Sequence, residues 1–352
     1  MKYLFWGLLV SLVFIRYFST KPEYIDGQKL RIEGIVRQEP SRFSYHQKIS
    51  LAGVSIYLEK YPEIYYGDRV VVEGTVKKGE LENAVLISKE EERGAFSGFR
   101  KRVVGFFQKS LPEPHAALVA GISLGAKGSL PKGFWDNLTK TGTAHVVVAS
   151  GMNVSLVASF LIGVLVTFMN RKRALILALG GIWIYTLISG FEAPIVRAAV
   201  MGSIAFSAQE LGRVYSAWRA LVVTGLILLI IVPAWVTDLG FILSFVATAS
   251  ILVFQKKMEK FFAFVPRVVR GDFSTTTAAQ IGVTPILFVT FGQFNILSPV
   301  INVLVLWTVP VVTILGIVGG VVGLIVPVLG KGILYLSYPL TSWFIAVVRL
   351  FG

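Results

Sequence analysis

The sequence predicts a polytopic α-helical membrane protein with an inserted, extracytoplasmic small β-barrel domain. The mean hydropathy is +0.70, and 54% of the 352 residues are hydrophobic, whereas soluble globular domains have roughly 45–50%. A stretch near the N-terminus alternates apolar and polar residues with period two, which is typical of strands with one buried face. Basic residues concentrate in alternate connections between the later hydrophobic segments, which is typical of cytoplasmic loops.

The net charge of +14 is distributed unevenly. Residues 25–92 hold 10 Lys and Arg against 12 Asp and Glu, whereas residues 111–352 hold 16 against 7. The basic excess therefore belongs to the membrane part, where it indicates cytoplasmic loops first and an anionic ligand second. The chain has no cysteine and three scattered histidines. This excludes disulfides and thiolate metal sites, and we expect no metal and no cofactor.

The chain opens with an apolar run from Tyr3 to Phe18 behind Lys2. The run is short enough for a signal peptide, but residues 16–21 are bulky and basic and contain no small-x-small cleavage site. We therefore expect residues 1–21 to form an uncleaved N-terminal transmembrane anchor.

Residues 22–93 are predicted to form the small β-barrel. Residues 30–37 and 70–77 share the strand alternation, and they carry the matching pairs Glu33-Gly34 and Glu73-Gly74. Because glycine within a strand often marks a bulge or corner, we expect equivalent bends in two strands of one barrel. With further strands at residues 48–59 and 83–89, a five-stranded OB-like barrel fits best.

One cluster in this domain sets aromatic side chains among basic ones, the combination with which OB folds bind single-stranded nucleic acid. Its members are Arg37, Arg42, Phe43, Tyr45, His46 and Lys48. The alternative is an exposed loop with ordinary strand aromatics. The domain's net charge of −2, from the 10 basic and 12 acidic residues counted above, weighs against DNA binding.

Residues 94–142 are predicted to form amphipathic, interfacial helices. Between Gly94 and Ser110, apolar residues recur every three or four positions opposite a basic face, which indicates a helix lying on the bilayer. Instead of anchoring the helix to the membrane, the basic face could guide the phosphates of DNA. Pro112 and Pro114 open a second short helix that ends before Gly125, and a third amphipathic helix follows at residues 131–140.

Residues 143–352 are predicted to be the polytopic helical membrane domain. Its hydrophobic segments cover residues 151–169, 174–190, 194–208, 215–232, 235–254, 275–291, 296–328 and 332–350. The long segment contains three prolines, so it is two helices or one broken helix. Residues 171–173, 213–219 and 256–270 are basic, whereas residues 190–193, 233–238 and 292–298 hold no Lys or Arg. We therefore predict a cytoplasmic N-terminus and a β-barrel outside.

This topology places four helix starts outside, near Ser150, Pro194, Pro233 and Pro299. Pro favours the first helical turn, and Ser150 or Ser298 can cap the adjacent start. Helix N-termini attract anions. Every polytopic protein has some helix starts outside, so these four indicate an anion site only if they converge on one cavity.

Polar residues within the apolar sequence are the candidates for such a cavity, because a polar side chain in lipid needs a partner or water. We predict that His145, Ser150, Asn153 and Arg197 surround one polar cavity that opens outward. Arg197 either pairs with Glu192 or Asp238 or lines a route for an anion, and Asp238 is either a helix cap or that partner. The alternative for the whole stretch around His145 is a polar kink packed inside a helix bundle.

Four elements of the chain resemble the ComEC-type competence channel, the inner-membrane DNA importer of bacterial transformation. They are Thr141-Gly142-Thr143-Ala144-His145 with Ser150-Gly151, residues 190–199 with Pro194 and Val196-Arg197-Ala198-Ala199, Asp238-Leu239-Gly240-Phe241-Ile242-Leu243-Ser244-Phe245, and Leu297-Ser298-Pro299 with Asn302. They occur in the expected order and cover the chain from about residue 100 onward. The sequence departs from the pattern at Asn153, where the family usually has His, and at Ile242, where it usually has Gln.

The resemblance implies a channel that passes single-stranded DNA inward across the cytoplasmic membrane and has no chemistry of its own. It also implies an OB-like domain and adds Asp238 and Asn302 to the residues expected along the DNA path. Fuller members carry a C-terminal metallo-β-lactamase-like domain, whereas this chain lacks a His-x-His-x-Asp-His cluster. The resemblance therefore predicts a short form whose partners, besides DNA and lipid, are a separate nuclease, a DNA receptor and a cytoplasmic translocation ATPase.

Two rival functions stay open at the level of sequence. The first is a secondary transporter for a small anion that uses Arg197 and the broken helices, although the membrane part shows no convincing internal repeat. The second is an intramembrane hydrolase in which His145 activates Ser150, although the two residues are separated by an apparent helix break and lack a third orienting group.

Overall fold

The computed structural model describes residues 11–19, 24–36, 40–42, 45–77, 79–91, 94–148, 150–291 and 295–352. A sheet that is antiparallel except for one parallel pair of strands follows a first short helix, and the remaining helices come after the sheet. Its strands are β1 (Lys29–Ile35), β2 (Ser41–Arg42), β3 (His46–Leu51), β4 (Val54–Glu59), β5 (Arg69–Lys77) and β6 (Glu80–Glu90).

Helix α1 covers residues 11–19. The helices after the sheet are α2 (Ala95–Ser110), α3 (His115–Leu124), α4 (Lys132–Lys140), α5 (Ala144–Val147), α6 (Gly151–Val166), α7 (Arg171–Ile188), α8 (Ala193–Glu210), α9 (Ala217–Ile231), α10 (Leu239–Phe261), α11 (Arg267–Phe291), α12 (Ser298–Leu306), α13 (Thr308–Ile325), α14 (Pro327–Tyr335) and α15 (Tyr338–Phe351). Short 3-10 turns lie at Lys127–Ser129 and Pro233–Thr237.

The sheet has six strands in the order β1-β5-β6-β4-β3-β2. The two Glu-Gly strands are direct antiparallel neighbours, with Leu30 opposite Gly74 and Gly34 opposite Val70. The register between β5 and β6 shifts between Glu73 and Thr75, so β5 has a bulge at Gly74. An equivalent bulge at Gly34 is not observed in the described strand, because β1 pairs with β5 without a register shift there. The apolar positions of the strands build a core of their own, in which Ile56, Val70 and Val72 are fully buried.

Residues 48–59 form the hairpin of β3 and β4, because Ala52 and Gly53 both have positive φ and turn the chain between them. One prediction about this domain is wrong. The expected closed five-stranded barrel is an open sheet, since no strand pairing joins β1 to β2 or β3 among the described residues. Gly34 approaches the Leu51 side chain across this gap, so the two edges meet through side-chain packing.

The predicted hydrophobic segments correspond to helices, and the last two segments are each broken into two helices. The long segment breaks at Trp307 between α12 and α13, as its prolines indicated. The last segment is also broken, because α14 and α15 meet at an angle of 43°. Within the part of the chain that the structure describes, α10 and α13 are long and apolar enough to cross a membrane, and α14 with α15 is a third candidate if the bent pair counts as one span.

Helix α2 was expected to lie on the bilayer, but its apolar side is covered by protein. Val103 and Phe107 are buried in a core with residues of α3, α12, α13 and α15. Close contact with α13 requires glycine there, since a β-carbon on Gly320 would lie 2.6 Å from Cγ1 of Val103. Small residues let helices of membrane proteins pack at this distance.

The start of α2 also joins the sheet to the helices. Lys101 forms an ion pair of 2.7 Å with Glu91, and this hydrogen bond raises the pKa of the Lys101 ammonium. Arg100 is buried, with its guanidinium 5.2 Å from the ring centre of Tyr66 in the sheet domain. On its other side Arg100 touches Gly190, whose φ of +98° and missing side chain leave room for the guanidinium. One arginine therefore contacts both the sheet domain and the connection between α7 and α8.

Candidate functional site

Three helix N-termini converge in the structure, those of α6, α8 and α10. Gly151, the first residue of α6, lies against Arg197 and Ala198 of α8. Gly240, near the start of α10, lies against Pro194 at the start of α8. A helix N-terminus exposes unpaired N–H groups and carries about half a positive charge. The convergence therefore creates a region of positive potential around the first turns of the three helices.

Arg197 lies at the centre of this region. Its Nε donates to Ser244 Oγ of α10 at 2.8 Å, and Nη1 approaches Met201 Sδ at 3.4 Å. The guanidinium carbon is 5.9 Å from the ring centre of Phe245, and Nη2 faces Gly151. In the described part of the chain, no carboxylate forms an ion pair with Arg197. A half-buried cation with neutral neighbours is a strong site for an anion.

The two carboxylates expected as partners of Arg197 are engaged elsewhere, so an ion pair of Arg197 with either of them is not formed. Glu192 pairs with Lys127 at 3.1 Å, and both side chains are partly buried. Asp238 caps α10, accepting a hydrogen bond of 2.7 Å from the N–H of Phe241. Its expected role as a helix cap is confirmed, and its charge is directed at that helix start.

His145 and Ser150 lie close in sequence but are not joined by a hydrogen bond among the described residues. His145 is exposed, and its Nδ1 contacts the carbonyl of Gly142 at 2.9 Å. Because a carbonyl only accepts, Nδ1 carries the proton and Nε2 holds the free lone pair. Ser150 precedes α6 with extended backbone, but its side chain makes no capping hydrogen bond. This geometry gives Ser150 no general base, and the expected cap by its side chain is wrong.

Asn153 is buried in the helix packing instead of facing an open space. Its Nδ2 donates to the carbonyl of Ile122 at 2.7 Å, which ties α6 to α3. The Tyr185 hydroxyl faces Asn153 and Ser189, but neither contact has the geometry of an ordinary hydrogen bond. Among the described residues, Asn153 Oδ1, Tyr185 Oη and Ser189 Oγ therefore form a buried polar group with unsatisfied atoms.

Asn302 is likewise buried, one turn into α12. Its Nδ2 contacts Ser298 Oγ at 3.4 Å, and the Ser298 side chain packs on Gly142. The N-cap of α12 is Leu297, and Ser298 is the first residue inside the helix, so its expected capping role is also wrong. The starts of α12 and α5 are thus neighbours.

In the sheet domain, Arg37 and Phe43 lie outside the described residues, and of Arg42 only the backbone is described, in β2. Tyr45 is 89% exposed. His46 and Lys48 lie on β3 and share one neighbour that the sequence reasoning missed, Tyr57 of β4. The ring of Tyr57 is 5.6 Å from the ring of His46 and 5.1 Å from Lys48 Nζ.

Tyr57 lies directly opposite Lys48 in the β3–β4 ladder. The alternation of β4 already marks it, since Val54, Ile56 and Leu58 are buried and Tyr57 faces outward. The sequence does not locate the turn within residues 48–59, so it does not predict the pairing of Tyr57 with Lys48. Tyr57, Lys48 and His46 together form the aromatic-basic surface of the sheet.

Other kinds of site are not supported by the described residues. No group of three or more His, Asp or Glu side chains among them is arranged to hold a metal ion. A cavity of about 510 Å³ lies away from Arg197, between Glu113, Phe134, Asn137 and Arg349.

Comparison with known proteins identifies a family of similar proteins. The profile of the family described as "Competence protein" matches residues 122–352. The relative "ComE operon protein 3" of Bacillus subtilis is 26% identical over 247 residues, which is 70% of this chain and 30% of the relative. "Competence protein ComA" of Neisseria gonorrhoeae is 28% identical over 219 residues, 58% of this chain and 30% of the relative.

"Uncharacterized protein YcaI" of Escherichia coli is 24% identical over 222 residues, 58% of this chain and 28% of the relative. The chain thus spans less than a third of the length of these relatives. No solved structure matches it. Since the family profile covers residues 122–352, well over half of the chain, and the apolar helices fit a membrane protein, the chain belongs to the competence protein family.

Proposed function

We propose that this protein carries single-stranded DNA inward across the cytoplasmic membrane during natural transformation, as a channel without chemistry of its own. The sheet domain faces outward in this proposal, and the basic connections at residues 171–173, 213–219 and 256–270 face the cytoplasm. Family membership supports a role in DNA uptake. The finer statement, a single strand passing through the helices, depends on the site around Arg197.

The observation that carries the proposal is Arg197 without a carboxylate partner, placed where three helices begin. A polyanion entering the membrane loses the water around its phosphates, and each phosphate then needs compensating positive charge or N–H donors. The guanidinium offers a planar pair of donors for one phosphate. The helix starts add positive potential on the same side. Glu192 does not oppose this field, because Lys127 neutralises it.

The aromatic-basic surface of the sheet supports a single strand over a small anion as the cargo. Every base has a face that stacks on an aromatic ring, and such stacking is worth roughly 1–3 kcal/mol per base. Lys48 lies next to the ring of Tyr57, so a stacked base would bring its phosphate close to an ammonium. A small-anion transporter would have no use for this surface. An intramembrane hydrolase is disfavoured because His145 contacts Gly142 instead of Ser150.

As a channel without chemistry, the protein would need others to do the remaining work. We place among these a nuclease for the strand that is not imported, a surface receptor for DNA and a cytoplasmic ATPase that drives translocation.

The test is a deletion strain that carries a plasmid copy of the gene. Loss of transformation with normal binding of DNA at the cell surface is the expected result, and the plasmid copy should restore transformation. Normal transformation in the deletion strain would remove the proposed function. Loss of surface binding as well would move the protein's role to the receptor step.

A further inference from the structure

Helix α8 has three faces, and two of them are buried in separate apolar clusters. One face packs around Ala199 together with α6 and α7. A second face packs around Val196 together with α9 and α10. The third face carries Arg197 and, one turn further on, Met201, and neither residue belongs to either cluster. This face is only half-buried, so it forms a surface between the two clusters.

Helices α6 and α10 stand on either side of that face. Gly151 of α6 lies against Nη2 of Arg197, and Ser244 of α10 accepts a hydrogen bond from its Nε. Each of the two helices packs on α8, but they have no substantial packing on each other. The result is a groove with α8 as its floor and with α6 and α10 as its walls. All three helices run in the same direction, because α6 and α10 each meet α8 near the N-termini of both helices. Helix α6 lies at Arg197 with its first residue, α10 contacts Arg197 through Ser244, and Gly240 near the start of α10 lies against Pro194.

The walls of the groove are polar and uncharged. On α6, Gly151, Ser155 and Ser159 follow one another at four-residue steps, and both serines are exposed. On α10, Ser244 and Thr248 are one turn apart and half-buried. Their helices satisfy these hydroxyls, since Ser155 donates to the carbonyl of Gly151 and Thr248 to that of Ser244. Such a wall offers many weak contacts, which a moving charged chain needs in order to bind and leave each position.

The charge along the groove suits an anionic chain. Residues 151–166, 193–209 and 239–258 contain no Asp or Glu, so the three helices have no carboxylate before their last turns. Arg197 supplies the positive charge at one end, and Lys256 and Lys257 supply it near the far end of α10. Asp238 lies before the groove and is used as a cap.

We propose that this groove is the path of the phosphodiester backbone, from Arg197 along Ser155, Ser159 and Thr248 toward the basic end of α10. The inference rests on the proposed function and adds to it the route and the residues that line it. It assigns the floor to the Arg197 face of α8. Val164 of α6 and Val253 of α10 point away from the groove by their helical positions and are 42% and 43% exposed.

The absence of native cysteine makes a direct test possible. Single cysteines replace Ser155, Ser159 or Thr248, and matched controls replace Val164 or Val253. Cells producing each variant are treated with methanethiosulfonate ethylsulfonate, a small anionic thiol reagent. We expect the reagent to lower transformation at least tenfold for the three groove variants and to leave the two controls within twofold of untreated cells. Added transforming DNA should slow the modification of the groove cysteines.

Failure of the route and failure of the proposed function give different results. If the groove cysteines stay unreactive, or react without loss of transformation, or if the controls are blocked equally, the route is wrong. The deletion strain tests the function separately. If a cysteine variant does not accumulate in the membrane, Ser159→Asp and Ser159→Asn are compared instead, and transformation frequency is expressed per membrane-inserted protein. The aspartate should block transport and the neutral asparagine should not, and equal behaviour of the two would also overturn the route.

Discussion

The Cα of Gly151 lies directly against the guanidinium of Arg197, and a β-carbon at Gly151 would stand 2.9 Å from Nη2. This contact sets the position of the arginine relative to α6. The nearest atom is the end of a flexible side chain, so an added methyl group would displace the guanidinium. The β-carbon would also stand 3.2 Å from Cβ of Ala198, so α6 and α8 would have to shift apart by a few tenths of an ångström.

Gly151→Ala should therefore lower transport more than it lowers the amount of folded protein. Transformation should fall about two- to fivefold, whereas the amount of folded protein should change little, because the helix preference of alanine, at most about 1 kcal/mol, offsets the tight contact with Ala198. The control is Gly163→Ala on the same helix, where a β-carbon meets nothing within 4 Å. Transformation frequency per membrane-inserted protein is the measurement. A drop for Gly163→Ala of the same size would show that the effect comes from α6 itself.

Arg197→Ala should abolish DNA entry, because the guanidinium is the charge at the start of the path. Arg197→Lys should keep part of the activity, since the charge survives without the planar pair of donors. Neither variant should be rescued by Glu192→Ala or Asp238→Ala, because both carboxylates have other partners. Arg219→Ala is the control, an exposed arginine at the start of α9. Wild-type transport per folded molecule in Arg197→Ala would exclude Arg197 from the path.

The sheet domain should bind single-stranded DNA weakly, with an affinity that falls steeply with salt. Tyr57→Ala and Tyr45→Ala should each cost about 1–3 kcal/mol if the rings stack on bases. Ile87→Ala is the control, since Ile87 is 48% exposed on β6 and has no aromatic ring on which a base could stack. Fluorescence anisotropy with a labelled oligonucleotide at low salt measures the affinities. A folded protein that binds equally well after all three changes would exclude stacking on this surface.

Gly330→Ala should destabilise the helices, because a β-carbon at Gly330 would overlap the backbone of Gly323 in α13. Backbone atoms cannot move aside as a side chain does, so α13 and α14 must separate. Gly332→Ala, two residues further along α14, meets nothing within 4 Å and should be neutral or slightly stabilising. Thermal unfolding in detergent compares the two variants. Equal melting temperatures would show that the close packing of α13 and α14 is not needed for stability.

The predicted topology is testable by labelling single cysteines with an impermeant maleimide in intact cells. A cysteine at Ser44 should react, and cysteines at Lys172 and Lys257 should not, because the basic connections are expected in the cytoplasm. Lys172 and Lys257 are both exposed, so burial would not explain a lack of labelling. Reaction at Lys172 without reaction at Ser44 would invert the orientation.

The sequence by itself determined the local elements of this protein, because their causes are local. Alternation with period two predicts β1 and β5, and the glycine within β5, Gly74, marks its bulge. Pro and Gly predict where α3 begins and ends and where the long segment near Pro310 divides. Asp238 is recognisable as a cap from its place before an apolar run.

Only the tertiary structure decided which side chains meet, because charge and hydrogen-bond partners come from distant parts of the chain. Glu192 is five residues from Arg197, yet it pairs with Lys127 and leaves the arginine to Ser244. Tyr57 joins Lys48 only because the chain turns at Ala52. The groove beside α8 exists because two apolar clusters use the other faces of that helix, and no periodicity within α8 indicates which face packing leaves uncovered.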